Sequence, residues 1–185
     1  MRYLDKPNLP DGPVSAVIAD GRISRENEEG LLAMGIKIIK TKRHPGVYEA
    51  ISFHPDIMFH HVGGDRIVYA PETDESVVMQ LASLGFHMIQ GRSRLGEKYP
   101  FDIAYNAARV GRYVFHNFKY TDPVLKEELE KQGGIPVHVK QGYAKCSVSV
   151  VREDFMITSD AGIARAASDV GIEVLLIEPE EDLAL

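Results

Sequence analysis

Short apolar runs recur along the chain, and four of them begin just after a glycine. They are Gly35-Ile36-Lys37-Ile38-Ile39, Gly85-Phe86-His87-Met88-Ile89, Gly133-Gly134-Ile135-Pro136-Val137-His138-Val139 and Gly171-Ile172-Glu173-Val174-Leu175-Leu176-Ile177. A helical pattern precedes each glycine, which therefore reads as the left-handed residue that closes a helix without a Cβ clash. The β-branched and aliphatic residues that follow read as strands. Each helix also has a start: Ser24, Thr73 or Asp74, Thr121 or Asp122, and Ser159 or Asp160 stand where N-caps belong. Pro123 suits a first helical position. Leu125 and Leu129, with the polar Lys126-Glu127-Glu128 between them, make that helix amphipathic.

Between the helices lie pairs of runs that read as hairpins. The first spans 56–62, turns at Gly63-Gly64-Asp65 and returns over 66–70. The second spans 102–108, turns near Gly111 and returns over 112–117. The third spans 146–151, turns at Glu153-Asp154 and returns over 155–160. The chain is thus predicted to repeat hairpin, helix and strand about every 45 residues, a self-similarity that marks radial or stacked architectures. The expected class is α/β, a repeat of strand–helix–strand units. With no linker or break in composition, residues 1–185 are expected to form one domain.

Aligning the hairpins puts Asp56, Asp102 and Cys146 at one equivalent position. Residues two apart on a strand share a face. His54, Asp56 and His60 are therefore candidates for one face, with Asp102 and Asn106 at matching places in the next unit. If the units close around an axis, these polar ends meet at one mouth.

Composition narrows the chemistry. A net charge of −6 argues against affinity for nucleic acid built on phosphate neutralisation. The basic cluster Lys37, Lys40, Lys42, Arg43 and His44 reads as a solvated strand edge. There is no apolar run of about 18 residues to cross a membrane, and Met1–Pro7 lacks the apolar core of a signal peptide. The single cysteine rules out an internal disulfide and Cys-rich metal sites. The expected compartment is the reducing cytoplasm. Gly63-Gly64 carries neither a Walker nor a dinucleotide pattern and reads as a turn.

Several candidate residues admit two readings. Cys146 is a nucleophile only as a thiolate; Lys145 and a nearby His54 favour that form, and Asp56 and Asp102 oppose it. The alternative is a small buried hydrophobe. His54 and Asp56 suit proton transfer and the binding of a planar cation, or else a loop histidine before Pro55 and a turn-capping aspartate. Asp102 and Asn106 are candidate polar walls. Asp160 either caps the following helix or faces the same mouth. His54, Asp56, His60 and His61 cluster in sequence, but on an extended strand residues 54 and 60 lie roughly 20 Å apart, too far to share a metal.

Near-fivefold hairpin–helix–strand repetition, with Asp, His and Cys at equivalent places, resembles the pentein β/α-propeller. That fold is shared by arginine and agmatine deiminases, dimethylarginine hydrolases and amidinotransferases. Phe53-His54-Pro55-Asp56-Ile57-Met58-Phe59 is similar to the deiminases' His-x-Asp before an apolar strand. A closer resemblance, over roughly residues 10 to 180, is to an uncharacterised bacterial pentein-like family. It is carried by His54-Pro55-Asp56, Tyr99-Pro100-Phe101-Asp102-Ile103-Ala104-Tyr105-Asn106 and Val139-Lys140-Gln141-Gly142-Tyr143-Ala144-Lys145-Cys146-Ser147.

The resemblance implies a cysteine-dependent hydrolase or transferase for the C–N bond of a guanidine or amidine, needing no external cofactor and no metal. Cys146 would attack the planar carbon and His54 would move protons. Asp56, Asp102, Asn106 and Asp160 would bind substrate. The same architecture includes a translation factor that binds the large ribosomal subunit without chemistry, so a non-catalytic binding module is the alternative. A full pentein has five units, and about four are countable here. The set is therefore expected to be shortened, open or completed by a partner, and an unpaired edge would favour a homodimer. The deiminases also place their cysteine near the C-terminus, whereas a strand, a helix and a strand are expected to follow Cys146.

Overall fold

The computed structural model describes residues 3–178. Its first unit is β1 (Ala16–Ala19), α1 (Arg25–Ala33) and β2 (Lys37–Lys40). The second is a short helix α2 (Pro55–Met58), then β3 (Phe59–Gly63), β4 (Arg66–Tyr69), α3 (Glu75–Ser83) and β5 (His87–Gln90). The third is β6 (Ala108–Val110), β7 (Tyr113–His116), α4 (Pro123–Lys131) and β8 (Ile135–His138). The fourth is β9 (Val148–Arg152), β10 (Phe155–Thr158), α5 (Ala161–Asp169) and β11 (Glu173–Leu176).

Each unit is its own small sheet, with strand orders β1-β2, β3-β4-β5, β6-β7-β8 and β11-β10-β9. In the last three the hairpin is antiparallel and the strand after the helix returns parallel to the middle one, as Ile67 beside Met88 illustrates. The helix is the crossover that a parallel pair requires. Among the described residues the first unit has no counterpart of β3, β6 or β9.

The core lies in the seams between units. One seam, between the first and second units, joins Ile39, Ile67, Val77 and Leu81. The next joins Val68, Tyr105, Val114, Leu125 and Leu129, and the third joins Phe115, Val148, Met156 and Ile163. Neighbouring residues of one strand serve different seams: Ile67 faces one and Val68 the next, as do Val114 and Phe115. Period-two alternation makes this possible, and sheets buried on both faces read as continuous apolar runs. The helices fill the seams, α3 packing on β2, α4 on β3 and β4, and α5 on β8. At the two ends of the row the apolar residues stay open, with Leu32 and Met34 exposed beside α1 and Leu175, Leu176 and Ile177 exposed along β11.

The expected helix boundaries hold. Gly35, Gly85, Gly133 and Gly171 all take positive φ, the conformation that ends a helix. Ser24, Asp74, Asp122 and Asp160 are the N-caps. The aspartates have a second use. Each grips the loop that follows the last strand of the preceding unit: Asp74 pairs with Lys42 at 3.2 Å, and Asp122 accepts from Arg92 N at 2.8 Å and Ser93 N at 2.6 Å. Asp160 accepts from Gln141 Nε2 at 3.0 Å. Burial works to raise the Asp122 pKa, but hydrogen bonds from Ser93, Leu125 and Arg92 outweigh it and hold the carboxyl below its ordinary range.

The strand starts differ from expectation. Asp56 does not lie on a strand: Pro55 occupies the first turn of α2, and β3 begins only at Phe59. Proline fixes a φ suited to helix entry. Residues 102–107 are a fully buried irregular segment, and Cys146 sits in a turn before Val148. His54, Asp56 and His60 accordingly share no strand face, and His60 is buried in a core seam. The basic cluster is largely neutralised, with Lys40 on Glu28, Lys42 on Asp74 and Arg43 on Glu49, and His44 is buried against the Pro71 carbonyl at 2.8 Å.

Asp122→Ala should cost about 2–4 kcal/mol in urea unfolding, since it removes a cap and leaves buried N–H groups without acceptors; Asp74→Ala, at a half-exposed site, should cost clearly less. Two buried histidines make a second expectation. Burial pushes His60 down to about 3 and His116 down to about 4, despite carbonyl partners that work the other way. Their folded pKa values lie below the unfolded value, so the unfolded state binds the extra protons and stability is lost as pH falls. Between about pH 6 and pH 4, unfolding free energy should fall by roughly 1 kcal/mol per pH unit for each histidine. A urea midpoint that stays flat over that range contradicts this.

Candidate functional site

Three segments, each just before the first hairpin strand of its unit, bring polar side chains together. Asp56 comes from α2, Asn106 from the segment before β6, and Cys146 from the turn before β9. Cys146 Sγ lies 2.9 Å from Asp56 Oδ2 and 3.2 Å from Asn106 Nδ2. The same Nδ2 donates to the Asp56 carbonyl at 3.2 Å. Asn106 Oδ1 accepts from Lys145 N at 2.9 Å and Cys146 N at 3.3 Å. Thus Asp56, Asn106 and Cys146 converge, although 90 residues separate the outer two.

The alignment that brings them together is not the one expected. Cys146 stands two residues before its strand, and the residue two before β6 is Asn106; Asp102 is further upstream. Asp102 is buried instead beside Tyr143, whose hydroxyl donates to Oδ2 at 2.5 Å, and its Oδ1 is buried with no hydrogen-bond partner. Burial and the bonds to Asp102 and Tyr48 raise the Tyr143 pKa, so the phenol is neutral. Tyr143 belongs to the cysteine loop: its carbonyl accepts from Ser147 N at 3.1 Å.

Among the described residues, His54 and Asp160 make their hydrogen bonds and ion contacts outside this cluster. His54 Nε2 is 3.8 Å from Asp20 Oδ2, and among the described residues no hydrogen bond or ion pair joins His54 to Cys146. Asp20 is clamped by Arg22, which also donates to the carbonyls of Glu49 and Ala50 and lies over the Phe53 ring, and so holds the loop leading to α2. Asp160 is engaged as the cap of α5, at 2.8 Å from Ile163 N, and by Gln141. Asp20 and Arg22 lie outside the motifs quoted above and carry no local signal, whereas Tyr143 lies inside one of them without a pattern that singles it out. No three His, Cys, Asp or Glu side chains are placed to hold a metal ion among the described residues.

Cys146 is an exposed residue, yet enough protein surrounds the sulfur for desolvation to dominate its ionisation. Desolvation and then the Asp56 carboxylate push the thiol up to about 12, against smaller opposing effects of Asn106 and Lys145. In the resting site the group is a neutral thiol that donates to Asp56. A cavity of about 360 Å³ between β1 and α3, lined by Ile18, Ile39 and Leu81, does not include it.

The model of a family of unknown function (DUF6873) matches residues 18–185. The chain belongs to that family. Among curated proteins none matches this member. Solved structures do. An inosamine-phosphate amidinotransferase from Streptomyces griseus aligns with a TM-score of 0.53 at 11% identity, over 83% of this chain and 53% of that one. DDAH from Pseudomonas aeruginosa, a cysteine-to-serine mutant complexed with citrulline, aligns with a TM-score of 0.50 at 15% identity, over 94% of this chain and 68% of that one. At such identities the likeness shows a shared fold and leaves the chemistry of this chain to be argued from the site. No helix among the described residues is long and apolar enough to cross a membrane.

Alkylation of the single thiol should be slow at pH 8, with a midpoint well above the free-cysteine value of about 8.5. Asp56→Asn, which removes the charge facing Sγ, should lower that midpoint and speed labelling. A midpoint that does not move would dissociate the carboxylate from the thiol's ionisation.

Proposed function

We propose that the units of this chain close around an axis as an incomplete pentein propeller, and that the Asp56–Asn106–Cys146 cluster performs cysteine-dependent C–N bond cleavage on a guanidine or amidine. The observation that carries this reading is the thiol held 2.9 Å from a carboxylate at the meeting of three units. A planar cation is the ligand such a pair suits, because carboxylates bind guanidinium groups through paired charge-assisted hydrogen bonds.

The resting electrostatics fit a nucleophile made only when ligand is present. A guanidinium lying against Asp56 offsets the charge that raises the thiol's pKa and itself favours the thiolate. The thiol releases its proton to solvent, and the thiolate attacks the planar carbon, forming a C–S bond as electrons of the C=N bond move to nitrogen. The leaving amine departs with the C–N electron pair and a proton, which His54 is assigned to supply. Water in a hydrolase, or an acceptor amine in a transferase, then displaces Sγ. This scheme calls for no external cofactor, and a reducing compartment such as the cytoplasm would keep Cys146 as a thiol.

A second reading, the non-catalytic binding module, is favoured by the raised thiol pKa and by the pairing of His54 with Asp20. Titration of the alkylation rate in the presence and absence of a panel of guanidines and amidines separates the two. The enzyme reading expects a panel member to lower the midpoint and to be turned over, with Cys146→Ala abolishing turnover and leaving the thermal transition in place. Undiminished turnover by Cys146→Ala rules out the cysteine-dependent scheme, whereas a panel that neither binds nor shifts the midpoint favours the binding module.

A further inference from the structure

Asn106 is fully buried, and its amide is engaged on every side. Oδ1 takes the two successive N–H groups of Lys145 and Cys146, while Nδ2 donates to the Asp56 carbonyl and to Cys146 Sγ. Its main chain joins in: Lys145 N donates to the Asn106 carbonyl at 3.1 Å, and Asn106 N donates to the Ile103 carbonyl at 2.9 Å. No surface of the side chain is left for a ligand. Both the loop that carries the thiol and the helix that carries the carboxylate are therefore fixed to one amide.

We propose that Asn106 is a positioning residue that sets both the place and the ionisation of Cys146, rather than a wall that touches substrate. This rests on Cys146 being the reactive group of the site, but it can be read without any substrate. An amide suits the position because it presents an acceptor and two donors in one plane. The two N–H groups before Sγ require the acceptor, and the carbonyl of Asp56 and the sulfur require the donors. A carboxylate of the same shape keeps the acceptor side and loses the donors. It leaves a thiolate with no N–H from position 106 and with a second negative charge beside Asp56.

The test uses the full chain and iodoacetamide. Asn106→Asp should label at least about tenfold more slowly than the parent at pH 8 and titrate with a higher midpoint, since a thiolate fraction scales tenfold with each pKa unit. A folded Asn106→Asp with unchanged rate and midpoint overturns the proposal, because a merely structural asparagine would alter melting and leave the titration alone. Should that variant fail to fold, the side-chain amide resonances of Asn106 in the parent protein decide. They should shift with pH at the midpoint found by alkylation, and this titration should vanish in Cys146→Ser; resonances that ignore the thiol overturn the assignment. If Asn106 behaves as stated while no guanidine or amidine is bound or turned over, it is the proposed function that fails and not this role.

Discussion

The interaction on which most of the structure depends is the grip of a helix-capping aspartate on the unit before it. A cap alone satisfies N–H groups at the start of its own helix. In this chain Asp74, Asp122 and Asp160 also take donors from the loop that leaves the preceding sheet, so one carboxylate ends one unit and begins the next. The apolar seams follow from that spacing. A three-stranded sheet with one helix cannot cover both its faces, and each unit borrows its neighbour's helix or sheet for the second face. Asp122 is the deepest of the three and also receives the Tyr105 hydroxyl at 3.3 Å, which ties the seam to the segment that ends in Asn106.

Much of this organisation was legible in the sequence because it rests on local rules. Glycine after a helical pattern marked the C-terminal ends of the four long helices, Ser24 and the Thr-or-Asp and Ser-or-Asp pairs marked their starts to within one residue, and aliphatic runs marked the strands. The segments preceding the hairpins were misread for a physical reason. Residues 102–107 are apolar enough for a strand, but their burial comes from packing irregularly into the seam with Val68, Val114 and Leu125, not from alternation. Pro55 also turns the chain into helix where an extended run was expected. A shift of a few residues in those starts exchanged Asn106 for Asp102 in the alignment with Cys146. That Cys146 and Asp56 would meet was nonetheless within reach of the repeat, whereas the side-chain partners of His54 and Asp102 are tertiary facts with no local signature.

The electrostatics of the cluster are set by a balance that neither the thiol nor its neighbours decide alone. Desolvation and Asp56 favour the neutral sulfur, Lys145 and the Asn106 amide favour the charged one, and the first pair wins in the resting state. A thiol so placed is less nucleophilic than a free cysteine although it is exposed. Accessibility and reactivity are therefore separate properties at this site.

The two-sided strands carry a mechanical implication. Because Ile67 and Val68, like Val114 and Phe115, lie in different seams, a change of packing on one side of a strand is felt directly on the other. Close-packed interiors transmit such displacements rather than absorb them. The strands thus act as stiff partitions in series, and a volume change beside β4 is passed through β7 toward β9, the strand on which the cysteine turn is mounted.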